Sequence, residues 1–263
     1  MTKFALLGHN ISYSLSPVIH QALYAHYGVS ATYELLSVAP DELRQTVETL
    51  KRAYAGFNVT KPYKIDILPY LDTDNSGIGS VNTVSVEDGR LTGYTTDGYG
   101  FMRHLQMCYG SPAGKRCIVL GAGGVARIIV PELVKAGADV CIYNRTAARG
   151  AELAAACGAH VFTDEKPQLI VNCTSFGLQK GENPLPNVDL SRLEFAYDTI
   201  YSPPVTDFMQ TCAKVAPTEN GLGMLILQAI KADEIFLKID TMSDIQILYE
   251  EIKEAVQNEI AGA

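Results

Sequence analysis

A glycine-rich segment follows a short apolar run in the middle of the chain. Residues 117–120 suit a buried strand, and Gly121-x-Gly123-x-x-Ala126 comes directly after them. Gly121 permits a tight turn, Gly123 lets the backbone approach a pyrophosphate, and Ala126 allows close packing of helix on sheet. The N-terminus of the next helix adds free N–H groups and partial positive charge. The segment predicts a dinucleotide site comprising Gly121, Ala122, Gly123, Gly124 and Val125.

The residues after the next strand indicate which dinucleotide would bind. An acidic side chain at this point bonds the ribose 2′-hydroxyl of NAD and would repel a 2′-phosphate. Here Tyr143 is followed by Asn144, Arg145 and Thr146, with Arg149 one helical turn beyond Arg145. Two guanidinium groups suit a phosphate because they form charge-assisted hydrogen bonds. The pattern favours NADP over NAD.

Three polar segments lie upstream of the glycine turn. Ser14 and Ser16 are two residues apart, so in extended backbone their hydroxyls would point the same way and could bind a carboxylate. Asn58 and Thr60 would share one face of a strand, and Lys64 would lie just past its end. The segment around Asp97 follows a hairpin. When hydride is transferred to a carbonyl carbon, negative charge develops on the oxygen. A lysine such as Lys64 can stabilise this alkoxide and donate a proton to it.

The elements that must position these residues alternate between strand and helix, as in layered α/β domains. Ser16 is expected to cap a helix that has Pro17 at its first position and stops at Gly28. An Asp88-Gly89 pair predicts a two-residue hairpin turn. The predicted strands are 3–8, 32–38, 56–60, 81–85, 91–94, 117–120, 139–143, 169–173 and 195–200; the helices are 41–53, one ending at 135, and two near the C-terminus, the second opened by Ser243-Asp244.

Composition narrows the class of protein. The 263 residues carry a formal net charge of −8, which argues against a surface built to neutralise nucleic-acid phosphates. No apolar run approaches the length of a membrane span or a signal peptide, so we expect a cytoplasmic protein. The six cysteines form no CxxC pair and have no histidines at ligand spacing, so we expect free thiols and no metal site.

The polar segments, taken in order, resemble the shikimate dehydrogenase family over nearly the whole chain. The glycine turn alone would fit many dehydrogenase families, whereas this ordered set is specific. Besides the segments above, the resemblance covers Val81-Asn82-Thr83, Asn172-Cys173-Thr174-Ser175, Tyr197-Asp198 with Tyr201, and Asn220-Gly221-Leu222-Gly223-Met224-Leu225 followed by Gln228.

The resemblance implies reversible, NADP-dependent reduction of 3-dehydroshikimate to shikimate on the route to aromatic amino acids. It implies a substrate domain of residues 1–97 with 222–263, a Rossmann-type NADP domain of residues 98–221, and an active site in the cleft between them. Lys64 and Asp97 match the catalytic pair. Ser14 and Ser16 match carboxylate ligands, Asn58, Thr60, Asn82, Asp97, Tyr201 and Gln228 match ligands of the ring hydroxyls, and Thr199 and Gly221 match positions near the nicotinamide.

Three positions depart from the family pattern. Tyr13 stands where the family usually has histidine, Thr95 where it has asparagine, and Phe57 is bulkier than the expected small residue. These departures predict a pocket wall that differs from the usual one. They leave open a quinate or aminoshikimate dehydrogenase of the same family, and a ligand-sensing homologue without activity. The sequence leaves monomer and homodimer equally open.

Overall fold

The chain is described here from a computed structural model that covers residues 1–262, and side chains up to residue 260. It divides into two compact units. Unit 1 is Met1–Gly100 together with the C-terminal segment from Ile226, and unit 2 is Phe101–Leu225. Each unit is an α/β structure around its own sheet, which confirms the fold class predicted from the sequence.

The strands and helices are numbered in chain order. The strands are β1 (Thr2–Gly8), β2 (Ala31–Ser37), β3 (Gly56–Val59), β4 (Thr73–Asp74), β5 (Thr83–Glu87), β6 (Arg90–Tyr94), β7 (Arg116–Leu120), β8 (Asp139–Tyr143), β9 (His160–Val161), β10 (Leu169–Asn172), β11 (Phe195–Asp198) and β12 (Thr218–Glu219). The helices are α1 (Ser16–His26), α2 (Leu43–Ala53), α3 (Asp97–Cys108), α4 (Gly124–Lys135), α5 (Ala147–Cys157), α6 (Asp207–Cys212), α7 (Leu222–Leu237) and α8 (Ile245–Gly262).

The sheet of unit 1 has the strand order β2-β1-β3-β5-β6-β4. Strand β1 runs parallel to β2 and β3, and β5 runs antiparallel to β3 and β6. The β5–β6 hairpin turns at Asp88 and Gly89, which both have positive φ, as the predicted two-residue turn requires. The carboxyl ends of β1, β3 and β6 therefore meet the start of β5 at one edge of the sheet.

The two faces of this sheet are covered by different helices. Phe57 and Val59 of β3 pack in a core with Val47 and Leu50 of α2. On the opposite face, the ring of Phe4 stacks against Phe236 of α7, with 5.0 Å between centroids. Because side chains alternate along a strand, Phe57 and Asn58 point to opposite faces. Phe57 belongs to the core under α2, so its bulk lies on the opposite face from Asn58.

Two expectations about helix starts are wrong. Leu15 occupies the N-cap of α1, Ser16 is the first helical residue, and no side chain caps this end of the helix. The Ser16 hydroxyl instead accepts a hydrogen bond from Ser14 Oγ. Helix α2 is preceded by a 3₁₀ turn at Pro40–Glu42, so its α-helical part begins at Leu43 rather than at 41.

Helix α3 was not predicted from the sequence. It contains Gly98 and Gly100, and each glycine disfavours a helix by about 1 kcal/mol relative to alanine. Phe101 and Leu105 lie one turn apart on α3 and are fully buried in the core of unit 2. Burial of this apolar stripe outweighs the unfavourable propensity.

The sheet of unit 2 is parallel throughout and has the order β12-β11-β10-β7-β8-β9. This is the Rossmann order, with the topological switch between β7 and β10. Both faces of β7 are covered: Cys117 and Val119 lie in one core cluster, Ile118 and Leu120 in the other. Burial on both faces explains the uninterrupted apolar run that precedes the glycine turn. Among residues 1–262, no helix has the length and apolar character needed to span a membrane.

A charged contact joins α1 to the C-terminal helix of unit 1. His26 Nδ1 lies 2.7 Å from Glu251 Oε2, and His26 Nε2 lies 3.4 Å from Asp244 Oδ2. The hydrogen bond to Glu251 is the largest cause that raises the pKa of His26 above its ordinary value of 6.5. The protonated imidazole is therefore favoured in the folded state.

This contact predicts a pH dependence of stability. The raised pKa means that the His26 contribution is fully present below the unfolded value of about 6.5 and is lost as the pH rises through the folded value. We expect His26→Ala to lower the free energy of urea unfolding below this window and to have little effect above it. Glu251→Gln should weaken the pH dependence of the unfolding free energy in the same pH range. Equal destabilisation by His26→Ala at all pH values would contradict the assignment.

Candidate active site

The polar residues that the sequence singled out in unit 1 gather at the carboxyl edge of its sheet. Ser14 follows β1, Asn58 is on β3, Asn82 precedes β5 and Asp97 begins α3 after β6. Lys64 lies in the turn after β3. Ligand sites in α/β proteins form where strands end at a common edge, because the loops and side chains converge there.

Lys64 and Asp97 form an ion pair at the centre of this group. Lys64 Nζ donates to Asp97 Oδ2 over 2.7 Å, with the two side chains 29% and 12% exposed. The second carboxylate oxygen, Oδ1, accepts a hydrogen bond from Asn82 Nδ2 at 3.1 Å. The ammonium group is thus held by a carboxylate that is itself anchored, while part of its surface stays accessible.

The buried amide of Asn82 connects several predicted residues. Its Nδ2 lies within hydrogen-bond distance of Asp97 Oδ1, Gln228 Oε1 and Thr96 Oγ1, at 3.1, 3.1 and 2.8 Å. Its Oδ1 accepts from the backbone N–H of Thr96 and the hydroxyl of Thr83. Gln228, from α7, is thereby brought beside the pair of Lys64 and Asp97, although it is 131 residues from Asp97 in the chain.

A second chain of hydrogen bonds begins at the two serines. Ser14 Oγ donates to Ser16 Oγ at 3.1 Å. The backbone between them is not extended, because Leu15 has helical angles, so the predicted pairing of the hydroxyls arises from a turn at the helix start. The Ser16 hydroxyl lies near that of Tyr33, and the Tyr33 hydroxyl donates to Asn58 Oδ1 at 2.7 Å. Tyr33 was missed by sequence reasoning, because it appeared only as one apolar residue of a strand.

Thr60 lies beside this group, immediately after β3. Its backbone N–H donates to the carbonyl of Leu7 in β1 at 2.9 Å. A Cβ at Gly8 would lie 2.6 Å from Thr60 Cγ2, so a glycine is needed where the chain leaves β1. This close approach fixes Thr60 next to the segment that carries Ser14.

The two remaining departures from the family pattern lie in different surroundings. The Tyr13 side chain is 77% exposed, in the turn before Ser14. The hydroxyl of Thr95 is buried and, within the described part of the chain, has no hydrogen-bond partner.

The predicted dinucleotide residues of unit 2 lie at the carboxyl edge of its sheet. Gly121 has φ of +104°, and a Cβ there would lie 2.9 Å from Thr174 Cγ2. Gly123 and Gly124 are exposed, and a Cβ added at either would meet no atom within 4 Å. No side chain caps α4 at Gly123. The open surface and uncapped helix end fit a pyrophosphate, which needs close backbone approach and N–H donors.

The predicted 2′-phosphate residues surround the start of α5. Asn144 Nδ2 donates to the carbonyl of Thr146, the N-cap residue, at 2.8 Å. Arg145 and Arg149 are exposed, and neither forms an ion pair within the described residues. The Arg145 guanidinium lies 5.8 Å from the centroid of the Phe176 ring. Both cations are available to an anionic ligand.

Thr199, Gly221 and Tyr201 lie on the segments after β11 and β12. Thr199 N donates to Asn172 O at 3.0 Å, and Gly221 N donates to Ile200 O at 3.1 Å. A Cβ at Gly221 would collide with the backbone of Thr199, so these two residues must be in contact. Tyr201 belongs to unit 2 and is half-buried.

Asp198 is a residue of this edge that received no role from the sequence. Its Oδ1 accepts from Asn172 Nδ2 and the backbone N–H of Ile200, each at 3.0 Å, and its Oδ2 accepts from Thr206 Oγ1 at 2.6 Å. Burial raises the pKa of this carboxyl. The three hydrogen bonds tie the loops after β10 and β11 together, and this places Thr199 and Tyr201. The sequence singled out Tyr197-Asp198 only as part of the family resemblance and gave Asp198 no function.

The cysteines offer no reactive centre. All six are free thiols, and burial is the largest cause that raises the pKa of Cys141 to about 12. Cys141 lies close to His160 and Glu165, with possible ligand atoms within 4.8 Å of one another. His160 is already paired with Asp139 and Glu165, and the Cys141 thiol donates to the carbonyl of Cys117. These contacts account for the cluster as ordinary packing and ion pairing.

Two family profiles match this chain. The shikimate dehydrogenase substrate-binding domain matches residues 6–84, and shikimate/quinate 5-dehydrogenase matches residues 104–172. A relative from Desulfitobacterium hafniense strain Y51, named shikimate dehydrogenase (NADP(+)), is 37% identical over 251 residues, which cover 89% of this chain and 92% of the relative.

Solved structures of similar proteins agree with these matches. Shikimate 5-dehydrogenase from Thermus thermophilus, in complex with NADP(H) and shikimate, is 30% identical, with a TM-score of 0.87 over 98% of this chain and 99% of that one. The ligand-free 5-ketofructose reductase of Gluconobacter sp. strain CHM43 is also 30% identical, with a TM-score of 0.83 over 96% and 98%. By its sequence, its fold and its relatives, the chain belongs to the shikimate dehydrogenase family.

Proposed function

We propose that this protein is an NADP-dependent shikimate dehydrogenase, which interconverts 3-dehydroshikimate and shikimate in aromatic amino-acid biosynthesis. Its relative from Desulfitobacterium hafniense carries that activity in its name. The observation that carries the proposal is the ion pair of Lys64 and Asp97, 2.7 Å apart and joined through Asn82 to Gln228. A proton donor surrounded by uncharged hydrogen-bonding groups suits a polyhydroxylated ketone.

The substrate ligands are proposed from unit 1. Ser14 and Ser16 would bind the carboxylate, since two adjacent hydroxyls can both donate to it. Asn58, Thr60, Asn82, Asp97 and Gln228 would bind the ring hydroxyls, and the family resemblance adds Tyr201 to these ligands. We assign residues 1–97 with 222–263 to the substrate domain and 98–221 to the dinucleotide domain.

Lys64 is the proposed proton donor. When bound, the nicotinamide supplies the hydride for reduction of the carbonyl carbon and accepts it in the reverse direction. As negative charge develops on the carbonyl oxygen, the Lys64 ammonium stabilises it and donates a proton. Asp97 fixes the direction of Nζ through the 2.7 Å contact and balances its charge. In oxidation of shikimate, Lys64 takes the hydroxyl proton back.

The cofactor site is proposed from unit 2. Gly121, Ala122, Gly123, Gly124 and Val125 would contact the pyrophosphate, supported by the open surface beside Gly123 and Gly124. Asn144, Arg145, Thr146 and Arg149 would contact the 2′-phosphate, because the arginines are exposed and lack carboxylate partners within the described residues. Thr199 and Gly221 would lie at the nicotinamide end.

A second candidate substrate class is a neutral polyhydroxylated ketone, since 5-ketofructose reductase has the same fold. The two clustered serine hydroxyls favour a carboxylated substrate over it. Quinate shares the carboxylate and is the nearer alternative. The alternative of a homologue without activity is disfavoured, because Lys64 and Asp97 are present and paired.

We also propose a cytoplasmic location and a monomer or homodimer. Six free thiols suit a reducing compartment. Size-exclusion chromatography coupled to light scattering would distinguish monomer from dimer.

Removal of the Lys64 ammonium should abolish most of the activity. We expect Lys64→Ala to lower kcat for shikimate oxidation by about 10²–10⁴-fold, the usual contribution of a positioned proton donor. Lys61→Ala is the matched control, because Lys61 lies on the same turn but is exposed and unpaired with Asp97. Initial rates of NADPH formation measure both. Wild-type kcat in Lys64→Ala, with chemistry limiting the rate, would exclude the assignment.

Removal of both arginines near α5 should reduce cofactor discrimination. We expect Arg145→Ala/Arg149→Ala to raise KM for NADP while changing KM for NAD little, because only NADP carries the 2′-phosphate. Arg116→Ala is the control, since this exposed arginine pairs with Asp139 at the opposite edge of the sheet. Equal losses for both cofactors would mean that the arginines support the fold or the pyrophosphate site instead.

Shikimate should be preferred over quinate. Quinate has an extra hydroxyl on the carbon that bears the carboxylate, next to the proposed positions of Ser14 and Ser16, although pocket shape alone limits such discrimination to about 10²-fold. Because Tyr13 is 77% exposed, we expect Tyr13→Phe to leave the ratio of kcat/KM for the two substrates unchanged. Quinate preferred by the parent protein and disfavoured by Tyr13→Phe would show that the tyrosine hydroxyl binds quinate.

A further inference from the structure

We infer that Tyr33 is a positioning residue, which fixes the Asn58 amide for the substrate ring. The inference rests on the proposed function, because it concerns how the same site binds shikimate. Tyr33 lies on β2 and is 5% exposed. Its hydroxyl donates to Asn58 Oδ1 at 2.7 Å.

The hydrogen bonds of Asn58 determine which way its amide points. Asn58 Nδ2 donates to the carbonyl of Asn82 and to the hydroxyl of Thr83, each at 3.1 Å, so both of its hydrogens are engaged. Asn58 Oδ1 accepts from Tyr33 and keeps one free acceptor position. A substrate hydroxyl must therefore donate to Asn58, and the amide cannot serve it as a donor.

The ring of Tyr33 is itself held in place. The His20 imidazole stacks on it with 3.9 Å between centroids and an interplanar angle of 10°. His20 Nδ1 lies 2.6 Å from Asp233 Oδ2, and both side chains are buried. This buried hydrogen bond fixes the imidazole, and the stacked imidazole limits tilting of the phenol ring. The Tyr33 hydroxyl therefore meets Asn58 in one orientation.

The direction of donation separates the roles of Tyr33 and the serines. The Ser14 hydroxyl donates to Ser16, and the Tyr33 hydroxyl donates to Asn58. Ser14 and Ser16 would donate their hydrogen bonds to a bound carboxylate, whereas the Tyr33 hydroxyl would continue to donate to Asn58 Oδ1. Tyr33 would therefore maintain the amide orientation in both free and bound protein. Without the Tyr33 hydroxyl, Asn58 Oδ1 would lose a buried hydrogen-bond donor.

The test compares two tyrosines of the same buried cluster. We expect Tyr33→Phe to raise KM for shikimate by about 2–10-fold, the effect of losing one neutral hydrogen bond, with kcat nearly unchanged. Tyr24→Phe is the matched control, because the Tyr24 hydroxyl faces Asp233 at 3.5 Å and makes no hydrogen bond to Ser16 or Asn58. Thermal unfolding of both variants measures the structural cost, and KM at saturating NADP measures the effect on binding.

A double-mutant cycle with Asn58→Ala identifies the route of the effect. If Tyr33 acts through Asn58, Tyr33→Phe should change KM less in the Asn58→Ala background than in the parent. An unchanged KM in folded Tyr33→Phe, an equal rise in Tyr24→Phe, or full additivity in the cycle would each overturn the inference. Failure of the wild-type protein to oxidise shikimate with NADP would instead overturn the proposed function.

Discussion

The buried amide of Asn82 is the constraint on which the proposed site depends. At 3% exposure, its hydrogens and its oxygen must find partners inside the protein, since an unpaired buried amide costs about 1–3 kcal/mol. The partners come from four segments: the link between β6 and α3, the start of α3, β5 and α7. Satisfying this one side chain brings Asp97 and Gln228 together, and Asp97 in turn holds Lys64.

The sheets decide where such a cluster can form. In unit 1, two parallel strands and an antiparallel hairpin place the chain segments that carry polar residues at one edge. In unit 2, the parallel sheet with its switch between β7 and β10 places the glycine turn, Asn144 and Asp198 at a common edge. Asp198 acts there as Asn82 does in unit 1, since its buried carboxylate collects hydrogen bonds from two loops.

A third buried group is the hydrogen-bonded pair of His20 and Asp233, which lies beside Tyr33. Removing one partner of such a pair is costly, because the other buried polar group is left without its hydrogen bond. The pair bridges α1 and α7, stacks on Tyr33 and so connects the packing of the two helices to the orientation of Asn58. Polar groups of the core and of the proposed site therefore form one continuous network.

The sequence by itself determined the α/β class, the glycine turn, the hairpin at Asp88-Gly89 and most strands, because these depend on local periodicity and on backbone angles that few residues adopt. It did not determine α3, whose glycines disfavour a helix and whose apolar stripe is stabilised only by burial. The sequence also did not show which face of β3 carries Phe57. That was decided by the packing of β3 between two layers of helices, which places Phe57 on the face opposite Asn58.

The roles of Tyr33, His20, Asp233 and Asp198 were decided by tertiary structure alone. Tyr33 bonds Asn58, 25 residues away, and His20 bonds Asp233, 213 residues away. No local sequence pattern shows which partner satisfies a buried polar group. The hydroxyls of Ser14 and Ser16 met as expected, but through a turn at the helix start. Residue types indicate which chemistry is available, whereas only long-range packing decides which atoms meet, because hydrogen bonds depend on direction and distance in space.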